Sequence, residues 1–331
     1  MIIIAEAGVN HNGSLELAMR MVEKAAEAGV DYVKFQTFKA DKLVTRDAKK
    51  AEYQQKNMSG ESDSQFEMLK ALELSEEDHH ILKDYCKKVG VGFLSTPFDL
   101  DSIEFLYSLG IDFWKIPSGE ITNYPYLRKI ASYNLPVVMS TGMCEDADIE
   151  EALKALKDNG QDLSKVTLLH CNTQYPTPFE DVNLLAMQGL RKFVNHVGYS
   201  DHTLGITVPI AASALGAEVI EKHFTLSRSL AGPDHKASLE PEELKEMVRQ
   251  IRIVEQSLGS GMKRVTASEA ANRAVARKSI VAARDIRKGE LLTDENICAK
   301  RPGTGISAMR WPEVEGTIAK RDFMQDEQIE I

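Results

Sequence analysis

Short apolar runs alternating with helical patterns predict a (β/α)8 barrel, the TIM-barrel architecture, over residues 1–258, followed by a small β-rich module. Three observations carry this expectation. Eight strand-like runs recur with helical segments between them, over the length that one such barrel occupies. Each run closes on polar or ionisable residues, as strands do when their C-terminal ends build a site. No GxGxxG follows the first run, so an open nucleotide-binding sheet would lack its phosphate fingerprint.

Taken in order, the first strand is Ile2 to Ala7, with Glu6 inside it and Asn10-His11-Asn12-Gly13 turning after it. Ser14 caps a helix that runs to Ala28, where Leu15, Met21 and Val22 alternate with Glu16, Arg20 and Glu23. Tyr32 to Phe38 is the second strand, and its period of two sets Lys34 and Gln36 on one face, pointing inward with Glu6. Residues 39 to 74 form a long polar excursion, either a lid over a site or a solvated insertion, with Lys49-Lys50 as a solvated face. Ser75 starts a helix on which His79-His80 is expected to be exposed.

The third strand is Gly92 to Phe98, followed by a helix from Leu100 to Leu109. The fourth, Phe113 to Ile116, runs into Pro117-Ser118-Gly119-Glu120, and the fifth spans Pro136 to Gly142. After a helix from Ala147 to Lys157 come Val166 to Cys171 and His196 to His202. A short helix, Thr207 to Leu215, leads to the eighth strand, Glu218 to Phe224, whose end carries Glu221, Lys222 and His223. The Gly232-Pro233 turn then presents Asp234. Pro241 to Leu258 is the closing helix, 259–277 is expected to be a linker, and 278–331 a domain of short strands near the lower size limit for folding alone.

Composition narrows the function. A chain of 331 residues, 43% hydrophobic, suffices for one large core and a small module. The formal charge of -10 excludes a general attraction to nucleic acid or an anionic membrane, so any anionic substrate must be held by local cations. Four cysteines without a CxxC pair suit reduced thiols and a cytoplasmic location. The N-terminus opens on a strand and no apolar run is long enough to span a bilayer, so neither a signal peptide nor a membrane span is expected.

In a barrel the polar strand ends become one site. Lys34 and Lys115, with the hydroxyls of Thr96, Ser118, Ser140 and Ser200, would suit a compact dianion such as a phosphate. A salt bridge from either lysine to Glu6 or Glu120 is the structural alternative. His202 and His223, both at strand ends with acidic neighbours, suit a divalent metal that polarises a carbonyl. His170 and His196 read as core residues.

The runs AEAGVNHNGS, VKFQTF, STPFD, KIPSGE, STGM, LLHCNTQYPTPFEDVNL, GYSDHT, EKHFTL and GPDH, with KRPGTGIS in the tail, resemble the bacterial sialic acid synthase family over nearly the whole chain. The resemblance implies a barrel followed by an antifreeze-like (SAF) domain, in a homodimer with the C-terminal domain swapped. It implies condensation of phosphoenolpyruvate with an N-acylated amino sugar, N-acetylmannosamine giving N-acetylneuraminate, with release of phosphate. Manganese or magnesium would sit on His202 and His223. Phosphoenolpyruvate would be held by Lys34, Thr96, Lys115, Ser118, Ser140 and Ser200, with Asn172 or Thr173 beside them. Gln36, Tyr175 and Asp234 would face the sugar, Glu6 and Glu120 would act as acid-base or orienting carboxylates, and Arg301 would reach in from the partner subunit. Thr304 stands near Arg301 where relatives often carry Asn. A legionaminic acid synthase, taking 2,4-diacetamido-2,4,6-trideoxymannose, is the near alternative. A metal-dependent aldolase or isomerase on the same barrel, or a sugar-binding tail on an inert barrel, is more distant.

Overall fold

The computed structural model describes residues 1–58 and 62–331. They divide into two compact units, Met1–Gly259 and Ser260–Ile331. In the first unit the chain runs β1 (Ile2–Gly8), α1 (Leu15–Ala28), β2 (Tyr32–Thr37), then α2 (Ala40–Leu43), α3 (Glu52–Asn57) and α4 (Gln65–Leu72) before α5 (Glu76–Val89). It continues β3 (Gly92–Pro97), α6 (Leu100–Leu109), β4 (Trp114–Ile116), α7 (Tyr124–Ala131), β5 (Val137–Ser140) and α8 (Asp146–Asp158). It ends β6 (Val166–His170), α9 (Ala186–Gly189), β7 (His196–Asp201), α10 (Thr207–Ala214), β8 (Val219–His223) and α11 (Pro241–Leu258).

The eight strands form one parallel sheet in the order β3-β2-β1-β8-β7-β6-β5-β4. β3 and β4 meet without a hydrogen-bonded ladder, so the barrel is near-closed. β4 is only three residues long.

Alternation along each strand divides the apolar residues. Ile3, Ala5 and Ala7 of β1 pack outward into the core shared with the helices, whereas Ile4 joins Leu94, Phe113, Val138, Leu169 and Val219 in a separate interior cluster. Gly198 lets this interior close: a Cβ there would lie 2.3 Å from Val219 O and 2.7 Å from Leu169 Cδ2.

Helix starts follow local chemistry. The Ser14 hydroxyl accepts from Leu17 N–H, and Ser75 forms a capping box with Asp78. α7, which periodicity did not separate from its flanking loops, begins at Asn123, whose side chain accepts from Tyr126 N–H, with Pro125 in its first turn.

Four expectations need correction. Of the two readings of the excursion the solvated insertion does not hold: α4 buries Met68, Leu69 and Leu72 against Val9, Phe38 and Ala40. Ser59, Gly60 and Glu61 within it lie outside the described residues. Lys50 is buried, its backbone N–H donating to Asp63 O at 3.0 Å. His79 is buried rather than exposed, with Nε2 2.7 Å from Thr37 Oγ1 and Nδ1 2.7 Å from Ser75 O. The segment read as a linker carries a helix, α12 (Ala267–Ala276), started by a Thr266–Glu269 capping box.

The second unit pairs β9 (Ser279–Ala282) antiparallel with β10 (Ile297–Lys300). Isolated bridges such as Ile286 to Phe323 and Leu291 to Ile318 extend the pairing. Ile280, Ile286, Leu292, Ile297, Val314 and Phe323 form its small core. No helix of the described residues is long and apolar enough to cross a membrane.

Candidate active site

The polar strand ends converge on a cavity of about 260 Å³ at the C-terminal mouth of the barrel. Register accounts for the convergence. Glu6 stands beside Lys34 on β2 and beside His223 on β8, and Gln36 beside Thr96 on β3. Ser200 on β7 stands beside Glu221 on β8. Glu221 and His223, two residues apart, both line the cavity, and the Lys222 between them pairs with Asp201 at 2.5 Å with no exposure of either side chain.

The centre of the site is a buried charge network. Lys34 Nζ lies 2.5 Å from Glu6 Oε2 and 3.6 Å from Glu221 Oε2, and it donates to Thr96 Oγ1 at 3.0 Å. Lys115 Nζ lies 3.4 Å from Glu221 Oε1 and donates to Ser140 Oγ at 2.9 Å. Ser200 Oγ donates to Glu221 Oε1 at 2.8 Å, and Gln36 Nε2 to Glu6 Oε1 at 3.3 Å. Ser118 Oγ accepts from Gly142 N–H at 2.9 Å and lies 3.3 Å from Cys171 Sγ.

Burial acts on every member, and the neighbours decide the outcome. Burial pushes Glu6 up, Lys34 opposes it, Glu221 adds to it, and Glu6 ends at about 7. Burial would also raise Glu221, but Lys115 and Lys34 outweigh it and draw this carboxyl down to about 2. Lys34 is raised because its two carboxylates more than offset burial, whereas burial prevails at Lys115 and lowers it.

His202 and His223 face one another with ring centroids 5.4 Å apart, and the Tyr175 ring lies 4.1 Å from that of His202. Burial brings His202 down to about 4 and His223 well below the usual imidazole range, so both are neutral at pH 7. His202 Nδ1 is held by Asn172 O, which leaves Nε2 as its free lone pair. His223 Nδ1 is buried and has no hydrogen-bond partner among the described residues. Two neutral imidazoles with one orphaned nitrogen fit a divalent cation. No group of three or more His, Cys, Asp or Glu among the described residues is arranged to hold a metal, so these two would leave its other positions to water or substrate.

Of the residues singled out in the sequence, Glu6, Lys34, Gln36, Thr96, Lys115, Ser118, Ser140, Thr173, Tyr175, Ser200, His202, His223 and Asp234 all line this cavity. Three do not. Glu120, on a 3-10 turn after β4, accepts from Asn123 Nδ2 at 2.6 Å and is absent from the lining. Asn172 donates its side-chain amide toward Asp181 O and uses its carbonyl to hold His202, so Thr173 is the one of the pair at the cavity. Arg301 belongs to the second unit and is exposed. His170 and His196 are half-buried, bonded to Val182 O and Glu218 Oε2 respectively.

Among the residues that sequence reasoning passed over are Glu221, Cys171, Val9, Phe98 and the apolar side chains contributed by α4. Glu221 was within reach: counting in twos back from His223 sets it on the same face.

The NeuB family model matches residues 21–263, and the SAF domain model matches 277–330. The chain is 53% identical over 329 residues to the N,N'-diacetyllegionaminic acid synthase of Campylobacter jejuni, covering 99% of this chain and 98% of that one. It is 53% identical over 318 residues to the protein of the same description from Legionella pneumophila, covering 95% and 89%. Among solved structures, the N-acetylneuraminic acid synthetase of Leptospira borgpetersenii matches with a TM-score of 0.71 and 34% identity, over 82% of this chain and 89% of that one.

Proposed function

The chain belongs to the NeuB family, and from that premise we propose that it condenses phosphoenolpyruvate with 2,4-diacetamido-2,4,6-trideoxymannose, giving N,N'-diacetyllegionaminate and phosphate. The observation that carries the chemistry is the meeting, in one cavity, of two buried lysines ringed by hydroxyls with two neutral imidazoles. The greater similarity to the two legionaminic acid synthases favours this acceptor over N-acetylmannosamine, which the motifs alone favoured.

Lys34 and Lys115 would receive the phosphate dianion, with the hydroxyls of Thr96, Ser118, Ser140 and Ser200 completing its hydrogen bonds and Thr173 at its edge. His202 and His223 would hold manganese or magnesium, which when bound supplies Lewis-acid polarisation of the acceptor's aldehyde. Tyr175, Gln36 and Asp234 would orient the acceptor. C3 of phosphoenolpyruvate would bond to the aldehyde carbon as the carbonyl π pair moves to its oxygen, which takes up a proton to become a hydroxyl, and C2 would be left cationic. Glu221 is the anion that would stabilise that centre, whereas Glu120, an acid-base or orienting carboxylate on the resemblance, bonds to Asn123. Water captures C2, and Glu6, whose carboxyl burial makes more basic than that of Glu221, would accept the proton that the water loses. The tetrahedral centre would collapse to the ketone by breaking the bond between C2 and the bridging oxygen, which departs as hydrogen phosphate carrying the proton of the C2 hydroxyl. We further propose a homodimer in which Arg301 of one subunit serves the site of the other.

The test is phosphate release from phosphoenolpyruvate, with manganese or magnesium, in the presence of the diacetamido acceptor, N-acetylmannosamine or neither. Release mainly with the first is expected. Release only with N-acetylmannosamine would move the enzyme to the sialic acid branch, and no release from folded, metal-supplied protein would sink the condensation itself.

A further inference from the structure

One wall of the cavity takes no part in the chemistry above. The strand ends are polar all round the mouth, Glu6, Lys34, Gln36 and Thr96 on β1 to β3 included, whereas Val9, Phe98 and the α4 residues Met68, Leu69 and Leu72, which lie beyond those strands in the chain, form an apolar wall. None of these five side chains carries an oxygen or nitrogen. They are the inner edge of a packed cluster that includes Phe38 and Ala40, so packing fixes where they stand. Gln54 also borders the cavity, and its Oε1 accepts from Ala51 N–H at 2.9 Å.

What the polar groups hold decides what this wall meets. The acceptor's aldehyde belongs at the imidazoles at the ends of β7 and β8, and phosphoenolpyruvate at Lys34 and Lys115. The wall of α4 and Val9, which offers neither of them a polar partner, is then left for the far end of the acceptor. Resting on the reading that this acceptor is a deoxygenated diacetamido sugar, we propose that the wall of Met68, Leu69 and Leu72 with Val9 and Phe98 is its specificity element. It packs against the C6 methyl and disfavours a C6 hydroxymethyl. A hydroxyl pressed against these side chains gives up its water and finds no donor or acceptor in return. An apolar pocket rejects an added hydroxyl by up to about 100-fold, which sets the size of the preference. The excursion between β2 and β3 thereby becomes a reader of the acceptor as well as a cover.

The experiment compares two acceptors, both 2,4-diacetamido mannose derivatives, that differ only in carrying a methyl or a hydroxymethyl at C6. In the unmodified enzyme kcat/KM is expected to be at least about 10-fold higher for the methyl compound. In Met68→Gln, which sets an amide of similar length on the wall, that ratio is expected to fall about tenfold, with the KM for phosphoenolpyruvate unchanged. A ratio taken within one protein preparation is unaffected by the fraction that is active. Equal kcat/KM values in the unmodified enzyme overturn the proposal, as does an unchanged ratio in a folded Met68→Gln protein. If that variant does not fold, the unmodified enzyme decides alone. Phosphate release with neither compound would instead overturn the functional reading beneath it.

Discussion

Glu6 and Glu221, on the adjacent strands β1 and β8, reach the same cation: Lys34 Nζ is 2.5 Å from one and 3.6 Å from the other. Both carboxyls are buried, yet one ends at about 7 and the other at about 2. The difference lies in Lys115, which stands 3.4 Å from Glu221, and in the charge of Glu221 itself, which discourages a second anion next to it. The pair therefore divides its roles: the two lysines hold Glu221 as the anion, and burial beside that anion makes Glu6 the readier of the two to take a proton.

Glu221→Gln leaves two buried ammonium groups and one carboxylate, Glu6, which pairs with Lys34. Breaking a buried ion pair from one side costs about 3–5 kcal/mol, so the variant is expected to unfold at clearly lower denaturant. Added inorganic phosphate should raise its unfolding midpoint more than that of the unmodified protein, because the dianion restores the missing charge. Equal shifts in the two proteins would argue against phosphate binding between Lys34 and Lys115.

Glu6→Gln and Glu120→Gln separate a cavity residue from one outside it. Loss of a proton-transferring group lowers kcat by about 10² to 10⁴, and that is expected for Glu6. Glu120 bonds to Asn123 and does not border the cavity, so its variant should retain kcat within about threefold, below the tenfold step that 1.36 kcal/mol brings. Steady-state phosphate release measures both, and comparable losses would return Glu120 to the chemistry.

His11 has no exposed surface, accepts from Gly13 N–H at 3.0 Å, and is brought by burial down to about 4. An unfolded chain protonates this ring below about pH 6.5, whereas the fold keeps it neutral until about pH 4. The unfolded state therefore binds more protons across that window. His11 contributes no penalty above about pH 6.5, and a growing one as the pH falls toward 4. Between pH 7.5 and 5.0, His11→Phe is expected to reduce the loss of unfolding free energy by on the order of 2 kcal/mol. Denaturant titrations at the two pH values measure this, and an unaltered pH dependence would remove His11 as its source.

Gly198→Ala tests how tightly the barrel interior is closed. The added methyl meets a backbone oxygen, which cannot rotate away. A loss of about 1–3 kcal/mol is expected from overpacking, measured by thermal or chemical unfolding. A neutral result would mean that β7 and β8 separate more readily than their register implies.

The barrel was legible because each strand declared itself as a short run and each polar end coincided with a place where the architecture puts function. The end of β8 shows the limit. Glu221, Lys222 and His223 are all buried, so local hydrophobicity does not tell inward from outward. The parity with His223 and the acidic Asp201 across the ladder from Lys222 resolve the triplet. α4 was hidden for a different reason: its apolar residues are embedded in a polar stretch, and their partners Val9 and Phe38 lie on other elements. α12 has no buried residue, so no apolar stripe marked it, and only its Thr266–Glu269 cap signals a helix. Glu120 shows that being near a strand end does not fix direction; the 3-10 turn after β4 and the amide of Asn123 do.

The interior cluster of Ile4, Leu94, Phe113, Val138, Leu169 and Val219 lies on the N-terminal side of the charge network along the same strands. It acts as an insulating plug: six buried apolar side chains stand on that side of the ring, so solvent dampens its field chiefly from the open mouth. The strength of every interaction among Glu6, Lys34, Lys115 and Glu221 is thus set at the opposite end, by how much water the bound substrates and the α4 cover admit. Enlarging the plug's side chains would disturb packing, whereas wetting the mouth would weaken the chemistry, and the two faults would be told apart by stability in one case and turnover in the other.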